Sequence, residues 1–393
     1  LEQVGGRSAG GYTIIEENMK RIAIDMRMGG KNFGIGRYVT ELADALLTSG
    51  TEFKFTLIFD KNFNKQLYDE YNGKGFDCIL VDAPYYSLKE QLVLPTFFLK
   101  HRFDLVHFPN FNVPIFFPGK FVMTIHDLIH HQYPGKKKRN FLYRLGYKTI
   151  INVAAIRAQR ILSVSESTKN DIIRVLKVPA EKIIVVPEGV SERFGQVFTD
   201  LAKKKLKEKY SITRSYILFI GEWRRYKNVP LLAKAFSRLP DEFRSKYQLV
   251  LAGGQDPHYP DVLAEVRDYQ NNSSIVITGK VSDDELPLLY KMADWYVSPS
   301  ASEGFGLTNL EAQKSGVPVL SSDIPVAREV LGSSAVFFKP EVEDLLKVLK
   351  EILYSGEIRQ RYIQAGLKNA EKYSWEKTAL KTKEIYKQTL LKK

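Results

Sequence analysis

The stretch from Ser298 to Glu311, SPSASEGFGLTNLE, gathers residue types that could do chemistry together. Two glycines, Gly304 and Gly306, flank Phe305 just ahead of a helix pattern. The backbone N–H groups of Gly306, Leu307 and Thr308 can therefore point at an anion at the positive end of a helix dipole. Glu303 and Glu311 are eight positions apart, the first in the loop and the second about two turns into the helix region. Carboxylates suit vicinal sugar hydroxyls, because each oxygen accepts hydrogen bonds that fix the orientation of a ring. The same spacing also suits a helix-start carboxylate at Glu303 and a surface residue at Glu311.

Four further clusters stand beside this one. Gly221-Glu222-Trp223-Arg224-Arg225-Tyr226-Lys227-Asn228 follows an apolar run, and its guanidinium groups can grip phosphate oxygens in a bidentate manner, or simply cap a helix and face solvent. Gly34-Ile35-Gly36-Arg37-Tyr38 opens a helix, but Val39 stands where a dinucleotide fingerprint needs its third glycine, which disfavours a dehydrogenase. Thr124-Ile125-His126-Asp127 closes a strand, with His130 and His131 following as loop residues. Although His126 and His130 are four apart, Asp127 replaces the Glu of a zincin helix, so no metal site is expected there. Asp283 and Asp284 are acidic neighbours bracketed by Ser282 and Glu285, which read as a capping box and account for the cluster structurally.

The elements that must position these residues alternate between β-branched runs and amphipathic helices, the pattern of an α/β fold with parallel sheets. Strands are expected at Arg21 to Asp25, Phe53 to Phe59, Cys78 to Val81, Leu105 to Phe108, Phe121 to Ile125, Arg160 to Val164 and Ile183 to Val186. Helices fit at Tyr38 to Ser49, Tyr143 to Ala158 and Glu166 to Leu176, the last with Ser165 as N-cap. The scheme repeats from YILFIG through YQLVLAGG, SIVITG, WYVSPS, VPVLSS and AVFF, with helices at Val229 to Leu239, around Val262 to Tyr269, at Asp283 to Met292, from near Thr308, and at Val326 to Leu331. With 393 residues, too many for a single compact core of up to about 300, the chain predicts two domains. We place these at 19–190 and 216–360, with a lysine-rich hinge at 191–215 and charged terminal helices at 361–393 that include Tyr373-Ser374-Trp375-Glu376, Trp375 serving as an apolar anchor. Residues 1–18 read as a remnant foreign to the fold. Ligands of open α/β sheets collect at strand carboxyl ends, and two such domains facing each other would make a cleft.

Composition narrows the partners. The chain carries 58 basic and 45 acidic residues, a net charge of +13, which suits nucleic acid, acidic lipid or phosphorylated metabolites. No nucleic-acid-binding motif is visible, so that partner is not expected. Lys136-Lys137-Lys138-Arg139, followed by Phe141, Tyr143, Arg144 and Tyr147, mixes bases with large apolar side chains as anionic membrane surfaces require, though a solvated face fits as well. Lys203-Lys204-Lys205 with Lys207 and Lys209 reads as a solvated helix face. The single cysteine, Cys78, excludes an intramolecular disulfide and fits a reducing compartment, and no apolar run reaches membrane-spanning length, so a cytoplasmic protein is expected.

Glu303-Gly304-Phe305-Gly306-Leu307 through Glu311 resembles the signature of the family 4 retaining glycosyltransferases, which have the GT-B fold of two facing Rossmann-like domains with terminal helices crossing back. The resemblance covers nearly all of Met19 to Lys393 and includes Tyr373-Ser374-Trp375-Glu376. It implies that Glu311 binds the nucleotide ribose, that Glu303 contacts the donor sugar near the reacting carbon, and that Gly304, Phe305, Gly306, Leu307 and Thr308 hold sugar and diphosphate. The loop from Gly221 to Asn228 is similar to the family's diphosphate clamp, with Lys227 at the expected lysine. Glu222 departs from the arginine often found after the glycine, which makes Arg224 or Arg225 the candidate replacement. The resemblance assigns His126 to the donor sugar, Gly36 to the donor phosphates, and Arg37 and Tyr38 to the acceptor.

The implied reaction is metal-free and cofactor-free transfer of a hexose, with retention, from a nucleotide diphosphosugar to a glycan or lipid-linked hydroxyl. Asp25-x-Arg27, the Gly-Ile-Gly-Arg-Tyr loop, His-Asp-Leu and Tyr-Lys-Asn look like the mannosyltransferase branch and point to GDP-mannose. A UDP-sugar donor, a GT-B epimerase or phosphorylase, and a noncatalytic nucleotide or glycan binder are the alternatives.

Overall fold

The computed structural model describes residues 19–30, 34–50, 52–132, 141–270 and 274–391. Residues 1–18 and the bases Lys136 to Arg139 lie outside them, and nothing is described of the Phe141 and Tyr143 side chains. The alternation of apolar runs yields thirteen strands among the described residues, arranged in two sheets.

The first sheet holds β1 (Arg21–Asp25), β2 (Lys54–Asp60), β3 (Asp77–Val81), β4 (Leu105–Phe108), β5 (Phe121–Ile125), β6 (Arg160–Ser163) and β7 (Ile183–Val185) in the order β3-β2-β1-β4-β5-β6-β7. It is parallel from β3 through β5, with Arg21 opposite Lys54 and Ile22 opposite Leu105. The second sheet is parallel throughout: β8 (Ser215–Ile220), β9 (Tyr247–Ala252), β10 (Ile275–Gly279), β11 (Trp295–Ser298), β12 (Val319–Ser322) and β13 (Val336–Phe338) run in the order β10-β9-β8-β11-β12-β13. Their apolar runs are buried on both faces because helices cover both sides, the reason such strands lack polar alternation. In each sheet the strand order reverses once, between β1 and β4 and between β8 and β11. Loops that leave the carboxyl ends of such strands diverge, which opens a crevice for a ligand.

The chain divides into two compact units. Among the described residues, one comprises those up to Thr124, Thr149–Leu162 and those from Ala379 onward; the other comprises those within Ile125–Lys148 and Ser163–Thr378. The last helix, Trp375–Leu391, contributes to both. The stretch expected as a hinge carries a 3-10 turn, Glu192–Gly195, and a helix, Asp200–Lys209, capped by Thr199 and packed through Leu206. Its lysines are solvated: Lys203 meets Asp200 at 2.8 Å and Lys209 meets Glu285 at 2.6 Å.

Local expectations fail where side chains find other partners. Ser282 and Glu285 do not form a reciprocal capping box, since the Ser282 hydroxyl donates to the Glu285 carboxylate at 2.7 Å and the helix begins only at Leu286. His130 and His131 sit on a short helix, Ile129–Gln132, rather than a loop, and the Tyr147 hydroxyl lies 3.2 Å from His131 Nδ1. A helix at Leu88–Lys100 has no counterpart in the sequence reading, because Pro95 lies inside it and masks the period.

Candidate active site in the second unit

Two loops converge where the order of the second sheet reverses. β8 and β11 are neighbours, so the loop Gly221 to Asn228 and the loop from Pro299 to Gly306 leave side by side. The Ala301 N–H donates to the Tyr226 carbonyl at 2.7 Å and ties one loop to the other. A 3-10 turn at Arg225–Lys227 then directs Lys227 toward the second loop.

There Lys227 Nζ lies 2.6 Å from Glu303 Oε1, and the Ser300 hydroxyl donates to the same oxygen at 2.6 Å. Both side chains are largely buried. Burial works against the Lys227 charge, yet the facing carboxylate outweighs it and holds the ammonium above its ordinary pKa. A Tyr226 ring 5.7 Å from the ammonium adds a cation–π contact. Asp127 shares this environment: burial pushes its carboxyl above the ordinary carboxylate value and Glu303 adds to the rise, against the Ile129 N–H, His126 and Lys227.

Gly304 explains how His126 joins the group. A Cβ at position 304 would lie 2.0 Å from the His126 carbonyl oxygen, so only glycine allows the loop to press against the end of β5. The Gly304 carbonyl accepts from the Ser165 hydroxyl at 2.8 Å and from the Thr168 hydroxyl at 3.1 Å, and Ser165 also caps the helix Glu166–Leu176 as expected. The His126 ring is buried with Nδ1 3.1 Å from Glu188 Oε1, itself buried. Glu188 is placed in turn by its neighbour, since a Cβ at Gly189 would lie 2.3 Å from the Trp375 nitrogen. Thr378 donates to the Pro187 carbonyl at 2.8 Å and the Val190 N–H to the Tyr373 carbonyl at 3.3 Å. Glu188 has no place in the sequence reading, which gives Ser300 no role and uses Asp127 only to reject a zincin site; the signal for Glu188 is an acidic residue between proline and glycine at a strand's carboxyl end.

Gly306 adopts a left-handed φ of +88° and starts the helix Leu307–Lys314 without a side-chain cap. Its first N–H groups are suited to an anion. Leu307 and Thr308 are half-buried in this first turn. Phe305 points the other way, its ring buried and 5.7 Å from Tyr373, so the side chain anchors the loop in the core. Glu311 is buried, not a surface residue, and accepts from the Tyr290 hydroxyl at 3.0 Å.

The loop arginines are paired with acids. Arg224 meets Glu222 at 2.6 Å and Asp256 at 3.0 Å, whereas Arg225 meets Asp261 and, at 2.8 Å, Glu265. Glu222, where the family often has arginine, is therefore itself a partner of Arg224. Among the described residues, no cluster of three or more His, Cys, Asp or Glu side chains has metal-binding geometry.

Gly36, Arg37 and Tyr38 belong to the other unit, whereas His126, also expected in the first domain, lies in this one. A Cβ at Gly36 would lie 2.6 Å from the Gly30 carbonyl oxygen, which fixes the turn after β1 against the helix Gly34–Thr48. Arg37 is half-buried on this helix. Tyr38, expected at the acceptor, is wholly buried; its hydroxyl lies 3.1 Å from the Thr124 hydroxyl, which also meets His107 Nε2 at 3.0 Å. Arg27 of the Asp25-x-Arg27 pair is buried too, with Asp25 at 2.7 Å, Glu90 at 2.8 Å and the Ala83 carbonyl at 2.8 Å, an arrangement that knits the unit together.

Comparisons with known proteins give the family. Residues 34–194 match the model of Glycosyltransferase Family 4, and residues 202–369 match Glycosyl transferases group 1. The chain belongs to these glycosyltransferases, with the α/β GT-B fold. It is 27% identical over 371 residues to O-antigen chain mannosyltransferase B of Escherichia coli, covering 90% of this chain and 96% of that protein. It is 30% identical over 281 residues to the serotype-specific mannosyltransferase WbdA of Escherichia coli, covering 70% of this chain but only 34% of WbdA, so the chain spans about a third of that relative's length. Sucrose-phosphate synthase from Thermosynechococcus elongatus shares the fold, with a TM-score of 0.73 at 18% identity over 94% of this chain and 98% of that one.

Proposed function

We propose that this chain transfers mannose from GDP-mannose, with retention and without a metal ion, to a hydroxyl of a glycan or lipid-linked acceptor, working in the cytoplasm in peripheral contact with an anionic membrane. The observation that carries the reading is the meeting of Lys227, Glu303 and the uncapped helix start at Gly306 at the reversal of strand order. The named mannosyltransferase relatives support mannose as the sugar.

In this reading the departing diphosphate takes its countercharge from Lys227 and from the N–H groups of Leu307 and Thr308, a fixed electrostatic environment that needs little reorganisation as charge develops. Glu303 faces the positively charged sugar, and Glu311 takes the ribose. His126, its ring held at Nδ1 by Glu188, contacts the sugar. The bond from the anomeric carbon to the phosphate oxygen breaks as the acceptor oxygen bonds to that carbon from the same face. The acceptor proton passes to the leaving phosphate oxygen, so no protein base is required.

A thermal-shift panel of GDP, UDP, ADP and dTDP tests the donor, since a ligand that binds only the native state raises the transition temperature. GDP should give the largest shift, followed by mannose transfer or donor hydrolysis with GDP-mannose. A shift with UDP alone would overturn the choice of donor.

A further inference from the structure

Large apolar side chains are exposed along one line of the first unit. On the helix Leu88–Lys100, Leu88 is 84% exposed, Leu92 72% and Leu99 61%. At 100° per residue these three fall within about 40° of one another, with Pro95 at one margin. The helix buries Glu90, Leu94 and Phe98 on its opposite side, so the leucine ridge is not needed for its attachment. Lys100 borders the ridge on one flank, beside Lys89, which pairs with Asp82, and exposed Arg102 follows the helix.

The other flank is extended by neighbouring segments. Gln91 accepts from the Ile115 N–H at 2.8 Å and so holds a loop beside the helix, and Phe116 of this loop is 79% exposed. Arg157 donates to the carbonyls of Ile115 and Phe117, and the adjacent Ile156 is 70% exposed. Five exposed apolar side chains are thus held on three segments of one unit by specific hydrogen bonds. Single exposed leucines are ordinary, but an aligned ridge with a basic border is the arrangement of an interfacial helix.

We propose that the outer face of the helix Leu88–Lys100, with Phe116 and Ile156, docks on an anionic lipid bilayer. The leucines enter the acyl boundary while Lys100 and Arg102 meet headgroup phosphates, their aliphatic stems lying along the apolar ridge. This deepens the peripheral-membrane part of the function above by naming the surface, and it is independent of the choice of donor. Charge complementarity selects lipid over a second copy of the chain, since two like-charged borders would repel across a twofold contact.

Co-sedimentation with phosphatidylcholine vesicles, with and without phosphatidylglycerol, tests it. The protein should bind the anionic vesicles, release with rising salt, and lose about tenfold or more of its affinity in the triple variant Leu88→Ser, Leu92→Ser, Leu99→Ser. Phe116→Ser and Lys100→Glu should each weaken binding and provide the test if the triple variant does not fold. All folded variants should keep the nucleotide-dependent thermal shift, which separates a failure of docking from a failure of the donor assignment. No binding of the unaltered protein to anionic vesicles, or equal binding by the folded variants, overturns the proposal. So does a leucine-dependent dimer in gel filtration with vesicle binding unchanged.

Discussion

Glu188 and His126 face each other with the carboxylate 3.1 Å from the ring nitrogen Nδ1, and both side chains are buried. The hydrogen bond at one ring nitrogen sets the orientation and tautomer presented by the other. Glu188→Gln should fold with an unchanged melting temperature but lower kcat about tenfold or more, since small displacements at a reacting centre are costly. Glu188→Asp should regain part of the loss. Steady-state kinetics with a fixed acceptor check this; an unaltered kcat in Glu188→Gln would remove Glu188 from the positioning of His126.

The ion pair between Lys227 and Glu303 makes a stability prediction separable from catalysis. Removing either partner leaves the other charged group largely buried, so Lys227→Met and Glu303→Gln should each destabilise the protein by about 1–3 kcal/mol. The double variant should cost less than the sum of the two, with a coupling of about 1–2 kcal/mol in urea denaturation. All three should lose transfer activity by about a hundredfold or more. Additive stability losses would show that the 2.6 Å contact contributes little in solution.

The two glycines around Phe305 should respond differently to alanine. At Gly304 the new methyl would meet the His126 carbonyl oxygen, a backbone atom, at 2.0 Å, so the loop must move and about 3 kcal/mol should be lost. At Gly306 it would meet the Asn309 side-chain nitrogen at 2.9 Å, and the main penalty is the φ of +88°, about 1–2 kcal/mol. Denaturation midpoints of the two variants check the order. If Gly306→Ala were the more damaging, the close approach at His126 would not be the constraint on this loop.

Cys78 offers a pH test. Burial, with Asp77 adding, pushes its thiol up to about 11 from an ordinary 9.0. Because the folded value lies above the unfolded one, this group's contribution to stability is fully present below about pH 9 and is lost as pH rises toward 11. At pH 8 the folded thiol should react with iodoacetamide roughly a hundredfold more slowly than in denatured protein, with the rate climbing through pH 10 and 11. Equal rates folded and unfolded would contradict the shift.

Much of the fold was legible because buried parallel strands are nearly pure apolar runs: β1, β4 and β5 have the expected bounds, and the helix Glu166–Leu176 starts at its expected cap. The helix Leu88–Lys100 was hidden by Pro95, and the helix Asp200–Lys209 by a polar composition that leaves only Leu206 buried. At the candidate site, loop chemistry pointed to the helix start and left Glu303 open, and the family resemblance supplied Lys227. What it could not provide was pairing, since Glu188 lies 62 positions from His126 and Asp256 lies 32 from Arg224. Tyr38 carried no mark of burial either, because its hydroxyl is satisfied by Thr124, far away in sequence.

The contact of Gly189 with the backbone of Ser374 and Trp375 bears on how this chain can be recombined with its relatives. A chimaera that exchanges only a central segment such as 216–360 keeps 187–190 and 373–378 from the same parent, and with them the support beneath Glu188. One that exchanges everything after the middle splits that pair between parents. The useful crossover points are therefore fixed by a glycine that touches no reactant, and the two short segments should be inherited together.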